Sequence, residues 1–326
     1  MLPQFSEATD NDCVAVSEQD DDLSRRCITP HIGTITAGLS KLRVRVDQHF
    51  EAEKAKTTRQ KPAFLSEMKD VYTYPYGYCD VIRNAVWDNI HKSLNKRSPF
   101  TPYFIGLKPF LRKGGLFRKI WGELTYGPYF QSAMQLGAYY IDVSNDTVVI
   151  TKPKLDIKLL KDASLRNVDD FEHYFDVAQA YFKWDVYPNT QIPEIAFLYP
   201  GIAVHQKTGA LVLCGVAKPL FYKNLNTGGL LAQQFLTGSK YSDRRLTLEQ
   251  EARLASFRSG VLPALLVEAR ARNPQLEEDL GVIRNASAMH AWLASGQSQE
   301  SYRQVAIRLE AFASRIGAVL RPYSLK

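Results

Sequence analysis

The apolar spacing of this chain changes character twice along its length. Leu39, Leu42, Val46 and Phe50 recur at three- and four-residue steps, as do Ile82, Val86, Ile90 and Leu94. Both sets mark one face of a helix. In the middle of the chain, runs rich in Tyr, Ile, Val and Thr are separated by turn residues and read as strands. From Thr247 onward the spacing is helical again. Helices, then strands, then helices exclude the alternating βαβ order of a parallel nucleotide-binding sheet. The expected fold is α+β, with a helical N-terminal part, a central antiparallel strand-rich region and a helical C-terminal subdomain.

The element boundaries follow from local signals. A first helix is expected over Thr36–Lys56, and a second one with Asp80 as its N-cap. Pro99, Pro102, Pro109, Gly114, Gly115, Gly122, Gly127 and Pro128 break residues 98–130 into short pieces. One or two helical turns are expected there, around Phe117–Glu123. Strand pairs are expected over Ala138–Val143 and Thr147–Thr151, turned at Ser144-Asn145-Asp146, and over Ile195–His205 and Ala210–Phe221, turned at Lys207-Thr208-Gly209. A helix carrying Phe171, Tyr174, Phe175, Ala178, Tyr181 and Phe182 follows Asp169. Thr247-Leu248-Glu249-Gln250 fits a capping box, and Asn273-Pro274 ends the helix it opens. Val305, Leu309, Phe312, Ile316 and Val319 form the stripe of a terminal helix. Three regions result: an acidic, mobile segment over 1–30, an α+β core domain over 31–241 and a helical subdomain over 242–326.

Charge narrows the function classes. The 326 residues carry a formal net charge of +7, yet residues 1–30 hold seven carboxylates against Arg25 and Arg26. Charge runs of that kind are usually solvated. Cys13, Cys27, Cys79 and Cys214 form no CxxC pair and no Cys–His metal spacing, so they read as reduced thiols of a cytoplasmic protein. Cys79 and Cys214 lie in apolar surroundings and are expected in the core. No run reaches the roughly 18 apolar residues that a membrane span requires, and no signal peptide is visible.

The strongest functional signal lies between Asp88 and Glu123. That stretch has no carboxylate but eight cations: Lys92, Lys96, Arg97, Lys108, Arg112, Lys113, Arg118 and Lys119. Phe100, Tyr103, Phe104, Phe110, Phe117 and Trp121 are interleaved with them. Cations pair with phosphates, and aromatic faces stack on bases. The plain alternative is that the rings fill the core while the charges face water. No catalytic motif and no family resemblance accompanies the signal.

Two hypotheses follow. In the first, the chain is a group-transfer enzyme for a small phosphate-bearing or otherwise anionic substrate. Lys108, Arg112, Lys113, Arg118, Lys119, Tyr103 and Trp121 then bind the substrate. Asp142 and Asp146, at a strand end and in the turn after it, hold Mg²⁺ or Mn²⁺ or orient a nucleophile. His205, ending a strand, serves as a base. In the second, the same basic–aromatic segment, residues 89–122, binds nucleic acid or another polyanion without catalysis. The corners Asn226-Thr227-Gly228-Gly229 and Thr237-Gly238-Ser239-Lys240 offer anion-accessible N–H groups, or are plain turns.

Overall fold

A computed structural model describes residues 12–57, 74–214, 218–272, 274–275 and 308. The fold is α+β, and the chain divides into two compact units, Met1–Asn167 and Val168–Lys326. That division falls inside the span 31–241, which the sequence presents as one domain.

The first unit opens with helix α1, Glu18–Leu23. Ser17 caps it, its Oγ accepting from the Asp20 N–H at 3.0 Å. A π turn, Ser24–Ile28, and a 3-10 turn, Thr29–His31, lead into α2, Ile32–Thr57. Then come α3 (Cys79–Asn95), a 3-10 helix (Thr101–Phe104) and α4 (Leu107–Arg112). Five antiparallel strands complete the unit: β1 (Phe117–Leu124), β2 (Phe130–Leu136), β3 (Tyr139–Asp142), β4 (Asp156–Leu159) and β5 (Leu165–Arg166). Their order in the sheet is β4-β3-β2-β1-β5.

Both faces of this sheet are covered. On one, Met134, Leu136, Ile141 and Val143 pack against Leu39, Leu42 and Val46 of α2 and Ile82, Val86 and Ile90 of α3. On the other, Ile120, Ala133 and Tyr140 pack with Cys13, Leu160, Ala163 and Leu165. A strand buried on both sides loses its apolar–polar alternation. That is why Phe117–Glu123, expected as helical turns, is instead most of β1. The acidic head also differs from expectation where it is described. Leu23, Cys27 and Ile28 are core residues, and the Cys13 N–H and C=O bond the Asn167 side chain at 2.8 and 2.9 Å.

The second unit begins with α5, Phe171–Phe182, capped by Asp170, whose Oδ1 accepts the His173 N–H at 2.8 Å. Strands β6 (Trp184–Pro188), β7 (Gly201–His205) and β8 (Leu211–Cys214) form an antiparallel sheet in that order. Helices α6 (Lys218–Asn226), α7 (Leu230–Gly238) and α8 (Leu248–Ser256) follow. A π turn, Phe257–Val261, joins α8 to α9, Leu262–Arg272. The expected capping box is present, Thr247 Oγ1 accepting from Gln250 N–H and Gln250 Oε1 from Thr247 N–H. Ile202, Val204, Leu211 and Leu213 face Leu254, Phe257, Leu262 and Leu265 in one core.

Several expected strands are shorter. Thr147–Thr151 is a run of turns, and β3 pairs instead with β4, Ile141 opposite Ile157. Ile195–Tyr199 is a buried turn held by bonds from the Leu198 and Tyr199 N–H groups to the Ile195 carbonyl. Of the run Ala210–Phe221, Leu211–Cys214 is strand and α6 begins at Lys218. α3 starts at Cys79, one residue before Asp80, which sits in its first turn, where free N–H groups favour a carboxylate. The terminal helix stripe Val305–Val319 lies outside the described residues. Among the described residues, no helix is long and apolar enough to cross a membrane.

Candidate functional site

The 3-10 helix Thr101–Phe104 packs against α2, and the two elements share one row of cations and rings. Lys41 and Arg45 are one turn apart on α2, about 6 Å along an axis that rises 1.5 Å per residue. Phe100 and Tyr103 are three apart where a 3-10 helix rises 2.0 Å per residue, again about 6 Å, and they lie along one edge. The two spacings match, so the pairs are in register. Lys41 Nζ lies 4.8 Å from the Tyr103 ring centroid and donates to its hydroxyl. The Arg45 guanidinium carbon lies 5.9 Å from the Phe100 centroid. Both cations are exposed and both rings half-buried.

A glycine makes this close approach work. Gly38 costs α2 about 1 kcal/mol of helix propensity relative to Ala, but a Cβ there would lie 2.4 Å from Tyr103 Cβ. Elsewhere, exposed arginines are matched to carboxylates, as in Arg25–Asp21, Arg26–Asp22, Arg253–Glu249 and Arg272–Glu268. Among the described residues, no carboxylate pairs with Lys41, Arg45, Lys92, Lys96 or Arg97.

The residues singled out in the sequence do not converge on one point. Arg118 and Lys119 are neighbours in β1, so they project to opposite faces. Arg118 is half-buried, its Nε without a hydrogen-bond partner among the described residues. Lys119 Nζ lies 3.3 Å from Asn84 Oδ1. Lys108 sits in the first turn of α4, while Arg112 and Lys113 sit in its last turn and C-cap, where cations complement the helix dipole. The Gly114-Gly115 turn links α4 to β1, with Gly115 beneath the Phe110 ring. Trp121 is buried and stacks on Phe130 at 5.2 Å. Of the expected substrate-binding set, Tyr103 alone belongs to the row on α2. Lys41 and Arg45 were missed because they lie some sixty positions upstream and only packing brings them to Tyr103.

The paired aspartates occupy separate buried networks. The Asp146 carboxylate receives both Nη atoms of Arg43, at 2.7 and 2.9 Å. Arg43, 1% exposed, also donates to the Val143 carbonyl and through Nε to Asp47 at 2.8 Å. Asp47 in turn bonds Lys154 at 2.6 Å and the Tyr74 hydroxyl. Burial opposes ionisation of Asp47, but Lys154, Tyr74 and Arg43 together hold its pKa below the usual value. Asp142 accepts from Gln131 Nε2 at 2.6 Å, Ser144 N–H at 2.7 Å and Ser144 Oγ at 3.0 Å. Burial pushes its carboxyl up to about 6. These oxygens are engaged by protein donors. Among the described residues, no group of three or more His, Cys, Asp or Glu is placed to hold a metal ion. The arrangement therefore does not fit Mg²⁺ or Mn²⁺ bridged between Asp142 and Asp146.

His205 belongs to the second unit. It is buried at the end of β7, and its Nδ1 lies 3.2 Å from the Thr208 N–H and 3.1 Å from Thr208 Oγ1, which closes the hairpin. The two glycine corners meet at a cavity in the same unit, described below. At the first corner the N–H groups are engaged: Thr227 N–H bonds the Lys223 carbonyl, Gly228 N–H the Leu225 carbonyl and Gly229 N–H the Asn224 carbonyl. The cysteines are free, with Cys79 and Cys214 buried as expected. No family model, curated protein or solved structure matches this chain.

Proposed function

We propose that this protein binds single-stranded nucleic acid along the row formed by Lys41, Arg45, Phe100 and Tyr103. The observation that carries the reading is two cation–ring pairs in register, their cations exposed and, among the described residues, paired with no carboxylate. Cations supply phosphate attraction and rings supply stacking, which is tolerant of sequence because every base has a π-face. Lys92, Lys96 and Arg97, all exposed, precede the 3-10 helix in the sequence and add positive charge to this unit. Against group transfer stands the engagement of Asp142 and Asp146 in buried networks.

The test is fluorescence anisotropy with labelled oligothymidylate, comparing wild type with Lys41→Ala/Arg45→Ala and with Phe100→Ala. Each variant is expected to bind more weakly, Phe100→Ala by about 1–3 kcal/mol, as for loss of one stacked base. Undiminished binding in the double variant would overturn the reading. Binding of a small phosphorylated compound with Mg²⁺, and none of oligothymidylate, would favour the group-transfer alternative instead.

A further inference from the structure

We infer that the second unit carries a preformed binding site for an uncharged small molecule with a flat apolar face. The site is a cavity of about 480 Å³ between the loop after β6 and the turn from α6 into α7. Small-molecule sites typically enclose about 300–1,000 Å³. Pro193, Ala196 and Phe197 form one wall, and Gly228, Gly229 and Ala232 the other. The glycine pair lets the two walls meet at one end, where the Phe197 ring rests on Gly229. Both residues have positive φ, 62° and 85°, and a Cβ on Gly229 would lie 2.3 Å from the Phe197 ring.

Two buried asparagines hold the walls in place. Asn189 closes its loop, Nδ2 donating to the Tyr199 carbonyl at 2.9 Å and Oδ1 accepting the Ile192 N–H at 3.1 Å. Asn224 ties that loop to α7, donating to the Phe197 carbonyl at 3.1 Å and accepting the Ala232 N–H at 2.9 Å. Each is 1% exposed. The cavity is thus a rigid feature, ready before a ligand arrives.

The lining selects the ligand class. Among the described residues that line it, no side chain is ionisable, so a charged ligand would be desolvated there without a counter-charge. Thr190, Gln233 and Thr237 at the exposed rim offer neutral donors and acceptors. Phe197 offers a ring face. A planar, uncharged compound with one polar edge matches all three features. The anion expected at the glycine corners does not.

Ligand-observed NMR on the full chain provides the test, with indole and benzamide as neutral probes and indole-3-acetate, benzoate and benzamidine as charged counterparts. Saturation transfer is expected from the neutral pair and at least tenfold weaker binding from the charged ones. Gln233→Trp and Thr190→Trp, both at exposed rim positions, should each occlude the cavity and abolish the neutral signal while the near-UV spectrum is retained. No transfer to either neutral probe in wild type would overturn the inference. So would charged probes binding as well as neutral ones, or neutral binding that survives both substitutions.

Discussion

Burial raises the Asp142 carboxyl to about 6, with Asp156 across the strand pair adding to the effect and the Ser144 and Gln131 hydrogen bonds only partly offsetting it. The ordinary value is about 3.9, so between the two pH values the native state binds more protons than the unfolded chain. The contribution of this group to stability is then fully present below about pH 4 and lost as pH rises through about 6. Gln131 supplies a reason why the protonated form is welcome. Its Oε1 is buried without a partner among the described residues, and turning the carboxamide over would let a protonated Asp142 donate to it. Asp142→Asn should therefore be tolerated. Urea titrations are expected to show a flatter pH dependence between 4 and 7 than in wild type. At pH 7 the variant should gain up to about 3 kcal/mol, at 1.36 kcal/mol per pH unit. A variant less stable than wild type at pH 7 would contradict this account. Arg43 behaves oppositely. Arg43→Met leaves Asp146 buried without its cation and removes one of the two cations on Asp47, and should cost about 3–5 kcal/mol. Arg43→Met/Asp146→Leu should recover part of that loss, measured as a double-mutant cycle in denaturant.

At the scale of elements, α2 and the 3-10 helix depend on each other through Gly38. Gly38→Ala improves the helix propensity of α2 by about 1 kcal/mol but drives a methyl into Tyr103. The expected outcome is unchanged helical circular dichroism with weaker oligothymidylate binding. Weakening without loss of helix is what a displaced ring would produce, and unchanged affinity would show that Tyr103 does not need its packed position. The helices were the legible part of this fold. Leu39, Leu42 and Val46 bury one face and leave the other polar, so their period survives in the sequence. β1 was illegible because Phe117 and Trp121 are buried on one face of the sheet while Ile120 and Leu124 are buried on the other. Residues 144–146 read as a simple hairpin turn, but Arg43, a hundred positions upstream, draws Asp146 inward and the strand that pairs with β3 starts later. For the candidate surface, the signal of unbalanced charge was local and visible, whereas its assembly with Lys41 and Arg45 rests on packing that no spacing encodes.

For the molecule as a whole, a net charge of +7 and a pI near 9.1 predict attraction to any polyanion at low salt. Charge alone does not separate specific from diffuse binding, but salt dependence does. Affinity for single strands should fall linearly on a log–log plot against salt, and each lost phosphate contact should lower the slope by roughly 0.7. Lys41→Ala/Arg45→Ala is expected to show that change, while substitution of the carboxylate-paired Arg253 is expected to show none. Equal slopes in all three proteins would place the attraction in the general charge of the chain. The bonds between Cys13 and Asn167 have a further consequence for engineering. They hold Cys13 beside Asn167, so a short linker could join these two residues and new termini could be opened in the exposed Thr125-Tyr126 turn. Such a rearranged chain would keep every strand pairing of the five-stranded sheet while reversing the order in which its pieces leave the ribosome.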